Sequence, residues 1–228
     1  MDKRELFERG LAKEVDLKAY DLDQLIEIGS FIGRNLSFFK RIYKAYKFGE
    51  ASAHFEPRMG APVTATFNHE LKKVKFSRLE VELIFTIDQF LKFMALIDIC
   101  FVEILPIGTV VDLYDEYLPE SLKARVSTAN SNKRLQAMII SQVVFPDENL
   151  PNYFADYSAI LWPFGTRTSK QPFFIANVMI RNVIYKGMTN DFEQAFKDKL
   201  RRQNIFDKKK SMVYMTESDR IKIKQKMK

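Results

Sequence analysis

Near Pro106 the spacing of apolar residues changes from about 3.6 to about 2. Before it, Leu25, Ile28, Ile32, Leu36, Phe39, Tyr43 and Tyr46 recur at steps of three or four, as one face of an amphipathic helix does. After it, Thr109, Val111 and Leu113 alternate as strand residues do. A chain with both periods in separate halves implies an α+β fold. The expected order is N-terminal amphipathic helices, then a small antiparallel β-sheet domain with a terminal helix.

The first half carries local signals of its own. Asp21-Leu22-Asp23-Gln24 has the form of a capping box with Asp in place of Ser or Thr. It opens the helical run, read as one helix, whose last turns carry Lys40, Arg41, Lys44 and Lys47, where cations suit the helix dipole. Gly29 and Gly33 either weaken it or mark close packing, and Gly49 ends it. Upstream, Phe7, Leu11 and Val15 line one face of a short helix. Residues 50–62 hold Pro57, Gly60 and Pro62 and read as a loop. Val63, Ala65 and Phe67 then alternate. Asn68-His69-Glu70 forms a turn into a partner strand through Val74 and Phe76.

Residues 77–102 fit both periods. Leu79, Val81, Leu83, Phe85 and Ile87 alternate, while Leu79, Leu83, Ile87, Phe90, Met94, Ile97 and Phe101 keep helical spacing. Ser77-Arg78-Leu79-Glu80 has capping-box form. A run of about 25 residues without Gly or Pro exceeds a strand. The reading is therefore helix, at least over 86–100.

Beyond Pro106 and Gly108, strands are expected over 109–113, 135–145, 157–161, 173–176 and 183–185. Residues 115–133 are polar and read as a loop or insertion, and 163–172 are turn-rich. Asn190-Asp191-Phe192-Glu193 caps a terminal helix with Phe192, Ala195, Phe196 and Leu200 on its apolar face.

Composition narrows the class. With 46% hydrophobic and 13% aromatic residues, the 228-residue chain can bury a sizeable core, and 20 Phe against one Trp point to a core of Phe rings. The single cysteine, Cys100, excludes an intrachain disulfide and reads as a buried small hydrophobe. Met1-Asp2-Lys3-Arg4-Glu5 lacks the apolar stretch of a signal peptide. Lys92, Asp98 and Glu103 interrupt the apolar runs, which argues against a membrane span. The expected location is the cytoplasm. Residues 197–228 carry 12 basic and 4 acidic residues, a net +8, whereas the rest of the chain is close to neutral. The basic excess thus belongs to a tail, and nucleic acid binding over the whole surface is not indicated.

No catalytic constellation emerges, so no catalytic residue, metal or cofactor is expected. His54 and His69 are the only histidines, without ligand spacing. His69 beside Glu70 would make a base and orienter only if adjacent side chains converged, which strands and turns disfavour. Asp112, Asp115, Glu116 and Glu120 cluster after the first strand of the second half, beside Tyr114, Tyr117 and Pro119, and read as a solvated loop. Phe173 and Phe174 read as core. Trp162 and Phe164 straddle a Pro in a turn, a place suited to a partner contact. Lys208, Lys209 and Lys210 would meet an acidic partner. Ile221-Lys222-Ile223-Lys224 alternates and could add a strand to a sheet edge. The tail from 205 is expected to be solvated and dispensable for folding, so a cut after Gln203 should leave the core intact.

Several segments recur together in a known family. They are Leu105-Pro106-Ile107-Gly108-Thr109-Val110-Val111, Met138-Ile139-Ile140, Asp156-Tyr157 followed by Trp162-Pro163-Phe164-Gly165, the pair Phe173-Phe174, and Val183-Ile184-Tyr185-Lys186-Gly187. In this order, residues 103–200 resemble domain-of-unknown-function family 4176. Ser141-Gln142 stands where the family usually has Gly-Arg. Ala176-Asn177-Val178-Met179 is more apolar than the family's turn, and the terminal helix runs into basic Lys197, Lys199, Arg201 and Arg202. The resemblance implies a small bacterial protein linked to type VIIb secretion loci of Gram-positive bacteria, beside LXG toxins and WXG-like helical proteins.

The expected organisation is a mainly helical region 1–102, a β-rich domain 103–204 and a basic tail 205–228. The expected function is that of a non-enzymatic chaperone or targeting factor. It would bind a secreted LXG-like toxin or its WXG-like helical partners, with no small-molecule substrate. The alternatives are an immunity protein that binds the toxic domain, and a nucleic-acid-binding protein that uses the tail.

Overall fold

The computed structural model describes residues 2–120, 122–123, 134–166 and 172–226, with side chains to residue 221. The expected polar stretch 115–133 and turn 163–172 therefore lie partly outside the described residues. The chain is α+β and divides into two compact units. One comprises 1–102, 201–210 and 214–228. The other comprises 103–200 and 211–213.

The first unit opens with helices α1 (Lys3–Lys13), α2 (Leu22–Arg34) and α3 (Leu36–Lys47). The Asp21 side chain accepts from the Gln24 backbone N–H at 2.9 Å and starts α2 as its sequence pattern predicts. The single helix expected over this stretch is broken at Asn35, which takes φ −112° and ψ 73°. The Asn35 amide donates to the Phe31 carbonyl at 2.7 Å. Such side-chain bonding to a carbonyl four residues back competes with helix continuation. Gly49 ends α3 at φ +73°, with Glu50 N–H donating to Ala45 O at 2.9 Å and Gly49 N–H to Tyr46 O at 3.4 Å. Those two bonds form a Schellman motif.

Four antiparallel strands follow in the order β1-β2-β3-β4: β1 (Ser52–Phe55), β2 (Val63–Asn68), β3 (Lys73–Arg78) and β4 (Val81–Thr86). Helix α4 (Ile87–Phe101) comes next. The helix expected over at least 86–100 is present, and of the two periods that fitted residues 77–102, period 2 holds over 81–86, which form a strand. The working capping box is Thr86 with Gln89, not Ser77 with Glu80. Leu83 and Phe85 of β4 bury beside Val74 and Phe76 of β3. Phe93 of α4 lies 5.2 Å from Phe85 and 6.1 Å from Phe76, ring centre to ring centre. Phe7 of α1 meets Phe93 at 6.0 Å and Phe101 at 5.4 Å. A Cβ on Gly29 would stand 2.3 Å from the Phe7 ring, and one on Gly33 2.3 Å from the Phe101 ring. Both glycines therefore serve close packing.

The C-terminal segment of this unit is not a solvated tail. Tyr214 is fully buried, and Ile205 and Thr216 are buried too. The expected strand near Ile221 is instead helix α6 (Glu217–Lys226). Thr216 caps it, accepting from the Asp219 N–H at 3.1 Å.

The second unit holds an antiparallel sheet of β5 (Val110–Leu113), β6 (Gln136–Val144), β7 (Tyr153–Leu161), β8 (Phe173–Ile175) and β9 (Ile180–Tyr185). The main path runs β7-β6-β5-β9, with β8 also pairing β7. Ser211, which groups with this unit, ends a two-residue strand β10 (Lys210–Ser211) beside β7. Val111, Leu113, Ala137, Ile139, Tyr157 and Ala159 form the centre of its core. Helix α5 (Asp191–Phe206) follows β9, started by the Asn190 side-chain Oδ1 accepting from Glu193 N–H at 2.9 Å. Residues 191–200 of α5 group with this unit and 201–206 with the first. No helix among the described residues is long and apolar enough to cross a membrane.

Candidate functional site

The short motifs of the second half turn out to hold its frame. The Tyr157 hydroxyl accepts from Leu105 N–H at 3.0 Å and donates to Asn177 Oδ1 at 2.8 Å. Asp156, also buried, accepts from the Asn177 N–H at 2.8 Å. Thr109 is fully buried; its hydroxyl donates to Pro106 O at 2.6 Å and accepts from Gly187 N–H at 3.1 Å. A Cβ on Gly187 would stand 2.1 Å from Ile107 O, so this crossing requires glycine. The groups named here are bonded to one another within the fold, and the motifs read as architecture.

The titratable groups are dispersed. His54 Nδ1 lies 2.8 Å from the Thr64 hydroxyl, and His69 Nε2 lies 3.1 Å from the Glu50 carbonyl. Cys100 is buried, which pushes its thiol up to about 12, away from thiolate chemistry. Asp115 lies 3.9 Å from Arg181. Asp112 departs from the solvated loop expected of its cluster: it is buried in β5, with one carboxylate oxygen 4.0 Å from Arg134. Among the described residues, no three His, Cys, Asp or Glu side chains are grouped to hold a metal.

The residues expected to meet a partner fall differently. The 162–164 turn divides its pair: Trp162 is 46% exposed, whereas Phe164 packs against the sheet core. Phe173 and Phe174 were both expected in the core: Phe173 is half-buried and packs against it, whereas Phe174 is 48% exposed because β8 alternates. Lys208, Lys209 and Lys210 belong to the first unit. Lys208 is exposed. Lys209 lies 3.6 Å from Asp207. Lys210 is withdrawn from any partner role by a largely buried ion pair with Glu14 at 3.1 Å.

The surface that sequence reasoning missed is on α5, whose amphipathy is inverted. Its expected core face points outward: Phe192 is 82% exposed and Phe196 46%. Its inward face is charged. Lys197 is 3% exposed and lies 2.9 Å from a Glu193 carboxylate oxygen, an ion pair without hydrogen-bond alignment. Glu103 stands 4.0 Å from Lys197 and 2.7 Å from Lys186. Gln142 of β6 donates to Leu105 O at 2.7 Å and to Glu193 Oε1 at 3.4 Å. This network holds the charged side of α5 inward, so the apolar stripe is left uncovered. Strand β9, paired with β5 alone among the described residues, also exposes Val183, Ile184 and Tyr185, as does Met188 after it. The only sequence trace of this inversion was the four-residue spacing of Glu193 and Lys197, which suits an ion pair on any helix face.

Residues 124–196 match the model of a family described as Domain of unknown function (DUF4176). The match spans about a third of the chain, from before β6 to the middle of α5, and the 105–111 run lies ahead of it. No curated protein and no solved structure matches the chain.

Proposed function

We propose that this protein is a non-enzymatic binding factor that takes up an α-helical partner along the outward stripe of α5. The inversion of α5 is the observation that carries this reading. Aromatic residues four apart on an exposed helix form a ridge that the groove of a second helix accepts. A helix with its ion pairs turned inward and its Phe rings in water lowers its free energy when that stripe is covered. With the resemblance to family 4176 in mind, the partner we favour is a type VIIb secreted toxin or its small WXG-like companions, through an apolar face of a helical region. The factor would act in the cytoplasm, before export.

Co-expression with separately tagged N- and C-terminal halves of an LXG-like toxin tests the reading. The N-terminal, helical half should co-purify, and Phe192→Asp with Phe196→Asp should abolish capture while leaving the far-ultraviolet spectrum unchanged. Capture of the C-terminal toxic half alone would make this an immunity protein. Capture of neither half, or capture insensitive to the double substitution, would remove the proposal.

A further inference from the structure

A depression of about 460 Å³ opens on the first unit. One face of α2 supplies Asp23, Glu27, Ser30 and Arg34 to it, at the steps of three and four that align side chains along a helix. Arg4 of α1, Asn35 at the end of α2 and Arg78, the last residue of β3, complete the polar lining.

Two donors in this lining are buried without a hydrogen-bond partner: the Ser30 hydroxyl and Arg78 Nε. Ser30 is only 7% exposed. The Arg78 guanidinium is fixed in place, because it pairs with Glu27 through Nη1 and lies over the Phe31 ring at 4.8 Å. Arg4 is engaged by Glu8 at 3.1 Å. Arg34 has no ion-pair partner among the described residues. The depression thus presents a held guanidinium, a buried hydroxyl and an uncommitted second guanidinium.

Guanidinium groups bind planar carboxylates through paired N–H donors, and a carboxylate has acceptor sites left for a hydroxyl. Charge selects among oxyanions. Arg4 is paired with Glu8 and Arg78 with Glu27, so Arg34 is the cation of the lining without an ion pair among the described residues, and one uncommitted guanidinium suits a monoanion. A phosphate monoester, at about −1.5 to −2, would be left under-neutralised. Ile26 and Phe31 supply an apolar wall for the rest of a ligand. We propose that this depression is a binding site for a small carboxylate, either a free organic acid or the terminal carboxylate of a peptide.

Thermal melting and calorimetric titration of the full chain, at ionic strength fixed with sodium chloride, test this. The probes are acetate, inorganic phosphate, and dialanine with a free or an amidated C-terminus. Acetate and free dialanine should raise the melting temperature, amidated dialanine should not, and phosphate should act more weakly than either carboxylate. Tighter binding of free dialanine than of acetate assigns the site to peptide termini, and equal binding assigns it to organic acids. Arg34→Gln, at an exposed position that leaves the fold intact, should weaken binding about tenfold, as should Arg78→Lys. Ser30→Ala should give a smaller loss. Identical melting in chloride and acetate, equal responses from the Arg34→Gln protein, or tighter binding of phosphate than of any carboxylate would each overturn the assignment.

Discussion

The Tyr214 hydroxyl donates a 2.9 Å hydrogen bond to Oδ2 of Asp98, across 116 residues of sequence. Asp98 sits in α4 among apolar side chains and is 3% exposed, so its carboxylate depends on such donors. The Tyr214 ring stands edge-on to Tyr43 at 5.4 Å. A segment that looks like a charged tail therefore places a large aromatic ring inside the first unit.

Tyr214→Phe keeps the ring and removes one donor from a buried carboxylate, and should cost about 1–3 kcal/mol of stability. Truncation after Gln203 removes the ring as well and should cost more than the point substitution. Urea denaturation of the three proteins checks this. A truncated chain with the midpoint of the full one would show that the segment contributes no packing.

Gly33→Ala exchanges a poor helix former for the best one, a local gain of about 1 kcal/mol. The new methyl would meet the Phe101 ring and Cβ, which stand 2.3 and 2.8 Å from its position. Overpacking of this kind costs typically about 1–3 kcal/mol. Net destabilisation is therefore expected, recovered in part by Phe101→Leu in the same chain. If Gly33→Ala alone raises the melting temperature, α2 and Phe101 are not in contact as described.

Some of this packing was legible in advance. Asp21 with Gln24, Gly49, and Asn190 with Glu193 work through backbone groups within three or four residues, and their patterns needed no tertiary information. The β3–β4 hairpin was hidden for a physical reason. Its turn is Leu79-Glu80, with Leu79 at φ +52° and 76% exposed, and neither residue is one that turns select. The break at Asn35 was missed because the apolar step continues through it. Trp162 could be placed at the surface because it sits in a Pro-Gly turn. The outward face of α5 could not be foreseen, because it depends on Glu103 and Gln142, both distant in sequence from Lys197.

Lys197→Met tests how that helix is held. The substitution keeps most of the side-chain volume but leaves Glu193, already largely buried, without its cation. A loss of about 2–3 kcal/mol is expected, less than for a fully buried pair because Glu103 stays partly in water. The double change Lys197→Met with Glu193→Leu should recover most of it. If the single variant is as stable as the parent in urea, the inward charge network does not fix the orientation of α5.

Cys100 makes stability fall at high pH. Burial holds its thiol protonated to about 12 in the folded chain, against an ordinary 9.0. Between those values the unfolded chain releases a proton that the folded chain keeps. The contribution is fully present below pH 9.0 and is lost as pH rises towards 12, at up to about 1.4 kcal/mol per pH unit. Denaturation of Cys100→Ala over the same window should show a shallower decline than the parent. Parallel curves would mean that the thiol is not shielded.

The discontinuity of the first unit in sequence sets an order of events during synthesis. A ribosome makes residues 103–200 before it makes Tyr214, so most of the sheet carrying β9 has emerged while the first hundred residues still lack their closing segment. Until then the Asp98 carboxylate is without the Tyr214 hydroxyl, and the nascent first unit must wait, partly open, for a contact of long sequence separation. Such contacts form late because the intervening loop has to close first. A chain that ends at residue 200 and is free of the ribosome should therefore be cut readily by protease within 1–102 and resist it within 103–200, whereas the full chain should be protected in both.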